Sequence, residues 1–493
     1  MFWLIIRHQI RLLSRDRVAW LALGLLCAGI IYAFASGSWE LRRERQAQDA
    51  FLRRSHEIVV RNRDLAAAIE KRIAAGQEAE LIPPPFGTRH PSYVGTWSQQ
   101  PALLPPSPIE WLSFGQSDLY TSAYGGPGIG EVSQIGNPLT LSIGHWDVSA
   151  AVVYLLPLVI LALGFDLTAS ERESGIWQMI LSQPVRESSV LLAKWAAVSG
   201  IVLGTLTVMF LCGVSLLWRN LAAGMLLRIL TAALAILVYT LFWLALVLGV
   251  NMLRRSAAQS AMICAVAWLL FVIFLPFAID QVSTSVYPVP PRSVLADVSR
   301  SAPEQAVQTP RPQLIHAFLA RHNEIQVPAN LSDLGQLYLY RAARDEESQR
   351  IRQSAQDRWE EQLRSQQALA DGLAWLSPPA LLTNALMELA GTGRSRYLDF
   401  MRQKSQFEWD YDAVFLPRRL TLPNSIFTAA DYALIPTMNY QEEPAKRVLA
   451  RTRGSLLGLI LTCCASWGVF ILLAIERDRG ARPRRIPITS ASM

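Results

Sequence analysis

The sequence predicts a mainly α-helical membrane protein with six transmembrane helices and two large extracytoplasmic insertions. The composition is 51% hydrophobic and only 17% charged, whereas a soluble domain carries about 25% charged residues. The apolar residues lie in six long blocks without Asp, Glu, Lys or Arg, and about 20 apolar residues suffice for a helix to cross the hydrocarbon core. These blocks predict membrane spans rather than one large soluble core.

Hydrophilic stretches divide the chain around these blocks. The predicted boundaries are a leader at 1–17, spans at 18–39, 148–165, 195–218, 229–253, 256–279 and 454–475, extracytoplasmic regions at 40–147 and 280–453, a connector at 166–194 and a tail at 476–493. The leader is basic and amphipathic, which favours a helix lying on the membrane surface.

Short basic segments predict the orientation of the chain. Arginines crowd the leader, the turn at 251–256 and the tail, and with six spans these segments share one side, which should be cytoplasmic. Arg219 and Arg228, on the opposite side, weaken this bias without reversing it. The net charge of +7 fits retention on membrane lipid, and no fold signature favours nucleic acid. Signal-peptide cleavage at residues 33–35 is the alternative for the first block, although that block is long for a signal peptide.

The extracytoplasmic regions contain two predicted long helices. Phe51, Ile58 and Leu65 recur every seven residues, which predicts a helix over 51–73 with a narrow apolar stripe for one partner helix. A long polar helix is predicted at about 334–370. Because neither helix is stable alone in water, we expect the two to pair.

Shorter elements complete these regions. Residues 77–147 are rich in Gly, Pro and Ser and predict irregular structure with short strands. A prolyl run at 83–85 should prevent the first helix from continuing. An amphipathic helix is predicted at 380–390, with Gly391 as its C-cap. The external domain is therefore expected to be helical, with an α+β arrangement as the alternative.

Common catalytic and nucleotide-binding motifs are absent from the sequence. It contains no G-x-x-x-x-G-K-[ST], G-x-S-x-G, H-E-x-x-H or C-x-x-C, so we predict no catalytic residues and no phosphate-binding loop. His316 and His322 are close but lack further ligands, so no metal site is predicted. The span centres carry no charge, whereas ion-coupled carriers usually need one. Any energy for transport is therefore expected from another subunit, and a membrane-anchored enzyme is a less favoured alternative.

The connector is the most informative segment. Residues 166–186 read as a short charged helix, a turn at Gly175, an amphipathic turn and a break at Pro184. Such an element can present a compact knob to a soluble partner, and a plain interfacial loop is the alternative.

Two stretches resemble a known family. Phe165-Asp166, Glu171-Arg172-Glu173, Gly175, Leu181-Ser182 and Pro184-Val185 resemble the element after the second span of ABC-2 type ABC transporter permeases. Lys194 is similar to the lysine that opens their third span, whereas Arg186-Glu187 departs from the family pattern. The stretch 376–392, with Tyr397 and Phe400, resembles a subgroup with large insertions between spans one and two and between spans five and six.

This resemblance implies a function and its partners. It implies a permease of an exporter in a bacterial inner membrane, with both termini cytoplasmic and the connector acting as a coupling helix for an ABC ATPase. A second permease copy or paralogue would complete a dimer. ATP and Mg²⁺ would bind the ATPase, and no cofactor is expected on this chain. The candidate coupling residues are Asp166, Glu171, Arg172, Glu173, Gly175, Gln183, Pro184, Arg186 and Lys194.

Further features leave alternatives open. Gly200-x-x-x-Gly204 in the third span permits close helix packing, more often within one subunit than between two. Aromatic residues at positions 154, 239, 243 and 268 line a passage or pack against helices and lipid. The competing functional hypothesis is a non-transporting complex whose external domain relays force to a periplasmic partner.

Overall fold

The structure is a computed structural model that describes residues 2–76, 87–98, 100–115, 123–124, 146–183, 187–217, 223–323, 325, 327, 329–421 and 426–480. It is 83% helical, and strand structure in these residues is one short antiparallel pair, β1 (Ala102–Leu103) with β2 (Ala123–Tyr124). The described chain has six helices long and apolar enough to cross a membrane. The predicted fold class is therefore confirmed.

The elements follow a simple order along the chain. The helices are α1 (Phe2–Arg15), α2 (Arg17–Ala74), α3 (Pro91–Trp97), α4 (Val148–Ala150), α5 (Leu156–Gly164), α6 (Ala169–Glu173), α7 (Ile176–Leu181), α8 (Glu187–Leu217), α9 (Ala223–Met252), α10 (Ala257–Trp268), α11 (Leu275–Val286), α12 (Arg292–Val307), α13 (Arg311–Arg321), α14 (Asp333–Leu373), α15 (Pro378–Ala390), α16 (Arg394–Leu420) and α17 (Ala445–Gly480). Short 3-10 turns lie at Glu110–Leu112, Ala374–Leu376 and Ala430–Leu434, and π-helical segments at Ala151–Leu155 and Leu269–Phe274.

Two of the six spans form the centre of the membrane part. The spans, numbered one to six, lie within Arg17–Ala74, Val148–Glu173, Glu187–Ser215, Gly224–Met252, Ala257–Val286 and Ala445–Glu476. In spans two and four, 61% and 56% of an 18-residue apolar stretch is buried inside the protein, against 17–22% in the other four spans. Span four packs extensively against span six, and α1 packs against α8. The outer spans therefore turn apolar side chains outward, as lipid contact requires.

The first span continues without a break into the first insertion. The predicted span at 18–39 and the predicted helix at 51–73 belong to the single 58-residue helix α2, which is about 87 Å long at 1.5 Å per residue. Asp16 caps its start by accepting from the Val18 N–H (2.9 Å), and Gly76, with φ of +68°, follows its end. The predicted prolyl stop and most of the predicted irregular stretch lie outside the described residues.

The insertion domain is made of the described residues between 40 and 147 and between 287 and 444, apart from α15. Its aromatic core is built on α16 and includes Tyr411 and Phe415, and α2 contributes Val59 and Ala66 to it. Helix α14 instead packs against α11, α12, α13 and α16. The predicted pairing of the 51–73 helix with the 334–370 helix is therefore not the main packing of either helix. Val59 and Ala66 of α2 enter the aromatic core, whereas Ile58 and Leu65 of the predicted stripe are exposed.

Helix α15, which lies in the predicted external region, packs against the spans. Its Leu381, Leu382 and Leu386 lie in the same apolar core as spans two, four and six. A Cβ on Gly458 of span six would lie 2.8 Å from Leu381 Cδ1, so the two helices touch closely at this glycine. The predicted C-cap is confirmed, since Gly391 has φ of +76° and follows α15 directly.

Candidate functional site

The connector folds into two short helices joined by a glycine turn. Gly175 has φ of +77°, a left-handed conformation that glycine adopts without steric cost, and it separates α6 from α7. Asp166 Oδ1 accepts from the Ser170 N–H (2.7 Å) and so satisfies a free donor at the start of α6. The predicted sequence of charged helix, turn and amphipathic turn is therefore present.

Lys194 and Glu171 join α6 to span three. Lys194 is only 4% exposed, its ammonium pairs with the Glu171 carboxylate, and it donates to the Leu167 carbonyl at 2.9 Å. Because a buried charge is costly without partners, this arrangement fixes the position of α6 relative to the third span.

Arg172 holds the connector to the end of span four. It donates to Thr168 Oγ1 and to the Asn251 carbonyl (3.1 Å). Its guanidinium lies 5.4 Å from the centroid of the Trp177 ring, and Lys194 Nζ lies 5.9 Å from the same centroid. Trp177 is 5% exposed, so these cation–π contacts hold α7 against the membrane part.

Glu173 reaches the start of span five. Its Oε1 accepts from the Ala257 N–H at 2.9 Å, and Ala257 is the first residue of α10. Nearby, Arg254 forms an ion pair with Glu187 of α8. The connector is thereby fastened to the turn between spans four and five.

Asn251 closes the junction between spans two and four, and sequence reasoning missed it. Its Nδ2 donates to the Gly164 carbonyl (2.8 Å), and its Oδ1 accepts from the Leu167 N–H (3.1 Å). It therefore satisfies backbone groups at the end of α5 that would otherwise lack partners. The available signal was an amide at the end of an apolar run, next to the short basic turn.

Two apolar side chains of α7 are exposed on the outward surface of the connector. Ile176 is 49% exposed and Met179 is 72% exposed, and Gln178 between them is exposed too. We call these three residues the α7 knob. Glu171, Arg172 and Glu173, predicted to make polar contacts with another subunit, are engaged within the chain. Gln183 is exposed, whereas Pro184 and Arg186 lie outside the described residues.

The two predicted packing glycines face away from the chain. Gly200 and Gly204 are exposed, and a Cβ on either would meet no atom of the described residues within 4 Å. The favoured interpretation, packing within one subunit, is therefore not seen, because span three uses Val198 and Val202 on another face for its contacts.

A second charged cluster lies at the opposite end of the spans. We call it the outer joint, and its members are Arg228, Glu388, Arg396, Glu442, Glu443 and Arg451. With Gly391 and Gly393 it surrounds a cavity of ≈ 10 Å³, room for about one water. It joins spans four and six to α15 and α16.

Arginines make most contacts of the outer joint. Arg228 donates to the Leu389 carbonyl (2.7 Å), and Arg451 donates to Glu388 (3.3 Å) and to Glu443 (3.0 Å). The hydrogen bond from Arg451 lowers the pKa of Glu443 below its usual range. Arg396 pairs with Glu442 (3.1 Å), so the charges of this cluster are largely satisfied by one another.

Together, six spans and a short charged connector docked beneath them define a multi-pass membrane subunit. A family model described as ABC-2 family transporter protein matches residues 3–440. The chain belongs to the ABC-2 transporter family, and it is a permease subunit of an ABC transporter. Membership implies partnership with an ABC ATPase subunit. No curated protein and no solved structure matches the chain.

Proposed function

We propose that this permease belongs to an exporter of a bacterial inner membrane and that its ATPase subunit binds the α7 knob. The observation that carries the proposal is that the charged and the apolar side chains of the connector face different surroundings. Its charged side chains bind spans three, four and five, while Ile176 and Met179 project outward at 49% and 72% exposure. Exposed apolar residues at a polar surface are typical of a protein interaction site. ATP and Mg²⁺ would bind the ATPase.

The inward contacts give the connector a mechanical role in this proposal. An ATPase that moves α7 also moves α6, because Trp177 is held under Arg172 and Lys194. Displacement then reaches span three through the Lys194–Glu171 pair and span five through Glu173. Glu171, Arg172, Glu173 and Lys194 would therefore transmit movement rather than touch the ATPase.

Co-purification with the ATPase tests this assignment. Replacing Ile176 and Met179 by Glu should weaken ATPase binding by tenfold or more, equivalent to about 1.4 kcal/mol, and leave the unfolding temperature of the permease unchanged. Leu334→Glu is the matched control, because Leu334 is 41% exposed on the insertion domain. Undiminished ATPase binding by the double variant would show that the knob is not the docking surface.

Orientation and stoichiometry belong to the same proposal. With the α7 knob in the cytoplasm, both termini are cytoplasmic and the insertion domain is periplasmic. A phosphatase reporter fused within the insertion domain should be active, and one fused after Gly480 should be inactive. Native mass spectrometry of the complex should show two permease chains with two ATPases, and a single permease chain would refute the dimer.

Relay of force to a periplasmic partner is the second candidate function. Helix α2 favours it, since its 58 residues form one continuous helix that extends from the first span into the insertion domain. Reconstituted vesicles in which the insertion domain captures a periplasmic protein, without export of any tested compound, would favour relay over export.

A further inference from the structure

Two spans widen into π-helix at corresponding places. Span two does so at Ala151–Leu155 and span five at Leu269–Phe274. Each π segment is followed by a Leu-Pro pair, 156–157 and 275–276. Proline lacks an N–H and its ring clashes with the preceding turn, so a local widening of the helix accommodates it and leaves carbonyl oxygens without their helical donors.

Side chains from other elements donate to carbonyl oxygens of the π segment of span two. Tyr239 of span four donates its hydroxyl to the Val153 carbonyl (3.0 Å), and Val153 is four residues before Pro157. Trp268 Nε1 donates to the Tyr154 carbonyl (3.3 Å). An unsatisfied carbonyl within the hydrocarbon region is costly, so these donors stabilise the π segment of span two.

The donor to the π segment of span five comes from outside the spans. Ser377 Oγ donates to the Phe271 carbonyl at 3.2 Å, and Phe271 is five residues before Pro276, the spacing of a π-helical bond. The same oxygen accepts from the Ala380 N–H (3.3 Å) and caps α15. Ser377 is fully buried, so one hydroxyl joins span five to α15.

Helix α15 leads directly to the insertion domain. At its other end Leu389 accepts from Arg228 and Glu388 accepts from Arg451, which are contacts of the outer joint. Glu388 also accepts from Ser395 Oγ (3.0 Å), and Ser395 lies in the first turn of α16. A displacement of α15 therefore acts on the helix that carries the aromatic core.

Span five is suited to move between two of its attachments, one at the connector and one at α15. Glu173 of the connector binds its first residue, Ala257, and Ser377 binds it at Phe271. Only 17% of its 18-residue apolar stretch is buried, against 61% and 56% in the central spans two and four. Fewer packing contacts oppose its displacement, and its π segment lies between the connector and α11.

We propose that span five carries movement between the connector and the insertion domain, bending at its π segment and displacing α15 through the Ser377–Phe271 hydrogen bond. The ATPase as the source of movement rests on the proposed function above. The link itself does not, and it is tested on the chain without an ATPase, so the two proposals fail separately.

The experiment perturbs span five at the connector and, in a second variant, removes the Ser377 hydroxyl that joins span five to α15. Glu173→Ala releases Ala257 at the connector, and amide hydrogen exchange in α16 is measured in nanodiscs of phosphatidylethanolamine and phosphatidylglycerol. We expect Glu173→Ala to accelerate exchange in the first turns of α16 by about fivefold, a usual size for coupling between sites. In a Ser377→Ala background the same change should have no effect.

Two further variants separate the hydroxyl link from general damage to α15. Ser377→Thr keeps the hydroxyl and should behave as the native serine does. Thr383→Ala is the control, because the Thr383 hydroxyl donates within α15 to the Pro379 carbonyl (3.0 Å), and it should leave the response to Glu173→Ala intact. If Ser377→Ala fails to fold, Ser377→Cys, a weaker donor, should give a reduced response. An unchanged α16 after Glu173→Ala, or an equal response with and without the hydroxyl, overturns the proposal.

Discussion

The connector and the outer joint are charged clusters at opposite ends of the same spans, but they use their charges differently. In the connector, Glu171, Arg172 and Glu173 bind other parts of the chain and leave the apolar Ile176 and Met179 exposed. In the outer joint, arginines and glutamates satisfy one another around a cavity of ≈ 10 Å³. The first arrangement leaves an exposed surface to which a partner can bind. In the second, the charged groups bind one another rather than a partner.

This difference shows that charge in a cluster at one end of the spans does not by itself mark a docking surface. Both clusters fasten helices to one another, and the exposed residues beside them decide whether a partner can bind. Changes in either cluster should therefore lower stability, and only changes in the connector should also alter ATPase binding.

The largest expected effect is that of Lys194→Met. It leaves Glu171 without its partner beside a lysine site that is 4% exposed, and breaking a buried pair costs about 3 kcal/mol. Unfolding of the purified chain should report this loss, and adding Glu171→Gln should recover part of it. Arg300→Met is the control, since the Arg300–Asp297 side chains are 77% and 69% exposed and such a pair contributes about 0.5 kcal/mol. Equal losses of stability in Lys194→Met and Arg300→Met would contradict the role of the Lys194–Glu171 pair in fixing α6 to span three.

Arg451→Met should have the next largest effect. It removes hydrogen bonds to Glu388 and Glu443, but the Arg451 side chain is 35% exposed, so solvent screening should limit the total loss to about 2 kcal/mol. Arg402→Met is the matched control, because Arg402 is 76% exposed in its pair with Asp399. Arg451→Met should bind the ATPase normally once folded, whereas Lys194→Met should bind it less tightly. Loss of ATPase binding in Arg451→Met would break the comparison between the two clusters.

Two glycines in similar backbone conformations should respond unequally to alanine. Gly175 and Gly391 have φ of +77° and +76°, so each alanine variant bears a backbone cost of about 1 kcal/mol. A Cβ at Gly175 would meet no atom of the described residues within 4 Å, whereas a Cβ at Gly391 lies 2.8 Å from Arg228 Nη2. Gly391→Ala should therefore lower the unfolding temperature more than Gly175→Ala. Equal effects would mean that Arg228 moves aside without cost.

The spans followed from sequence because one physical constraint dictates them. A helix crossing lipid needs a charge-free apolar run, and all six runs are helical in the structure. Helix α15 escaped this logic, since its 13 residues are too few to span, and its burial depends on distant spans four and six. The Leu-Pro pairs of spans two and five were an available signal for the π segments.

The connector shows where local sequence stops being informative. The family resemblance placed Glu171, Arg172, Glu173 and Lys194 among the candidate coupling residues, and the structure gives each of them contacts with the spans or with their ends. Arg172 and Glu173 contact Asn251 and Ala257, which lie far along the chain. Local spacing contains no information on those contacts, so the attachment of the connector to the ends of spans four and five could not be predicted.

The smallest expected effect is the response of the outer joint to acid. Arg451 lowers the pKa of Glu443, so the native chain holds this proton less tightly than the unfolded chain does. The resulting stabilisation is complete above the ordinary glutamate pKa of about 4.5 and is lost as pH falls through the lowered value. Between neutral pH and about pH 3 the native chain should lose up to about 1 kcal/mol more stability than Glu443→Gln, which has no carboxylate at this position to protonate. If the free energies of unfolding of the two proteins fell by equal amounts over this pH interval, the Arg451–Glu443 pair would not stabilise the outer joint.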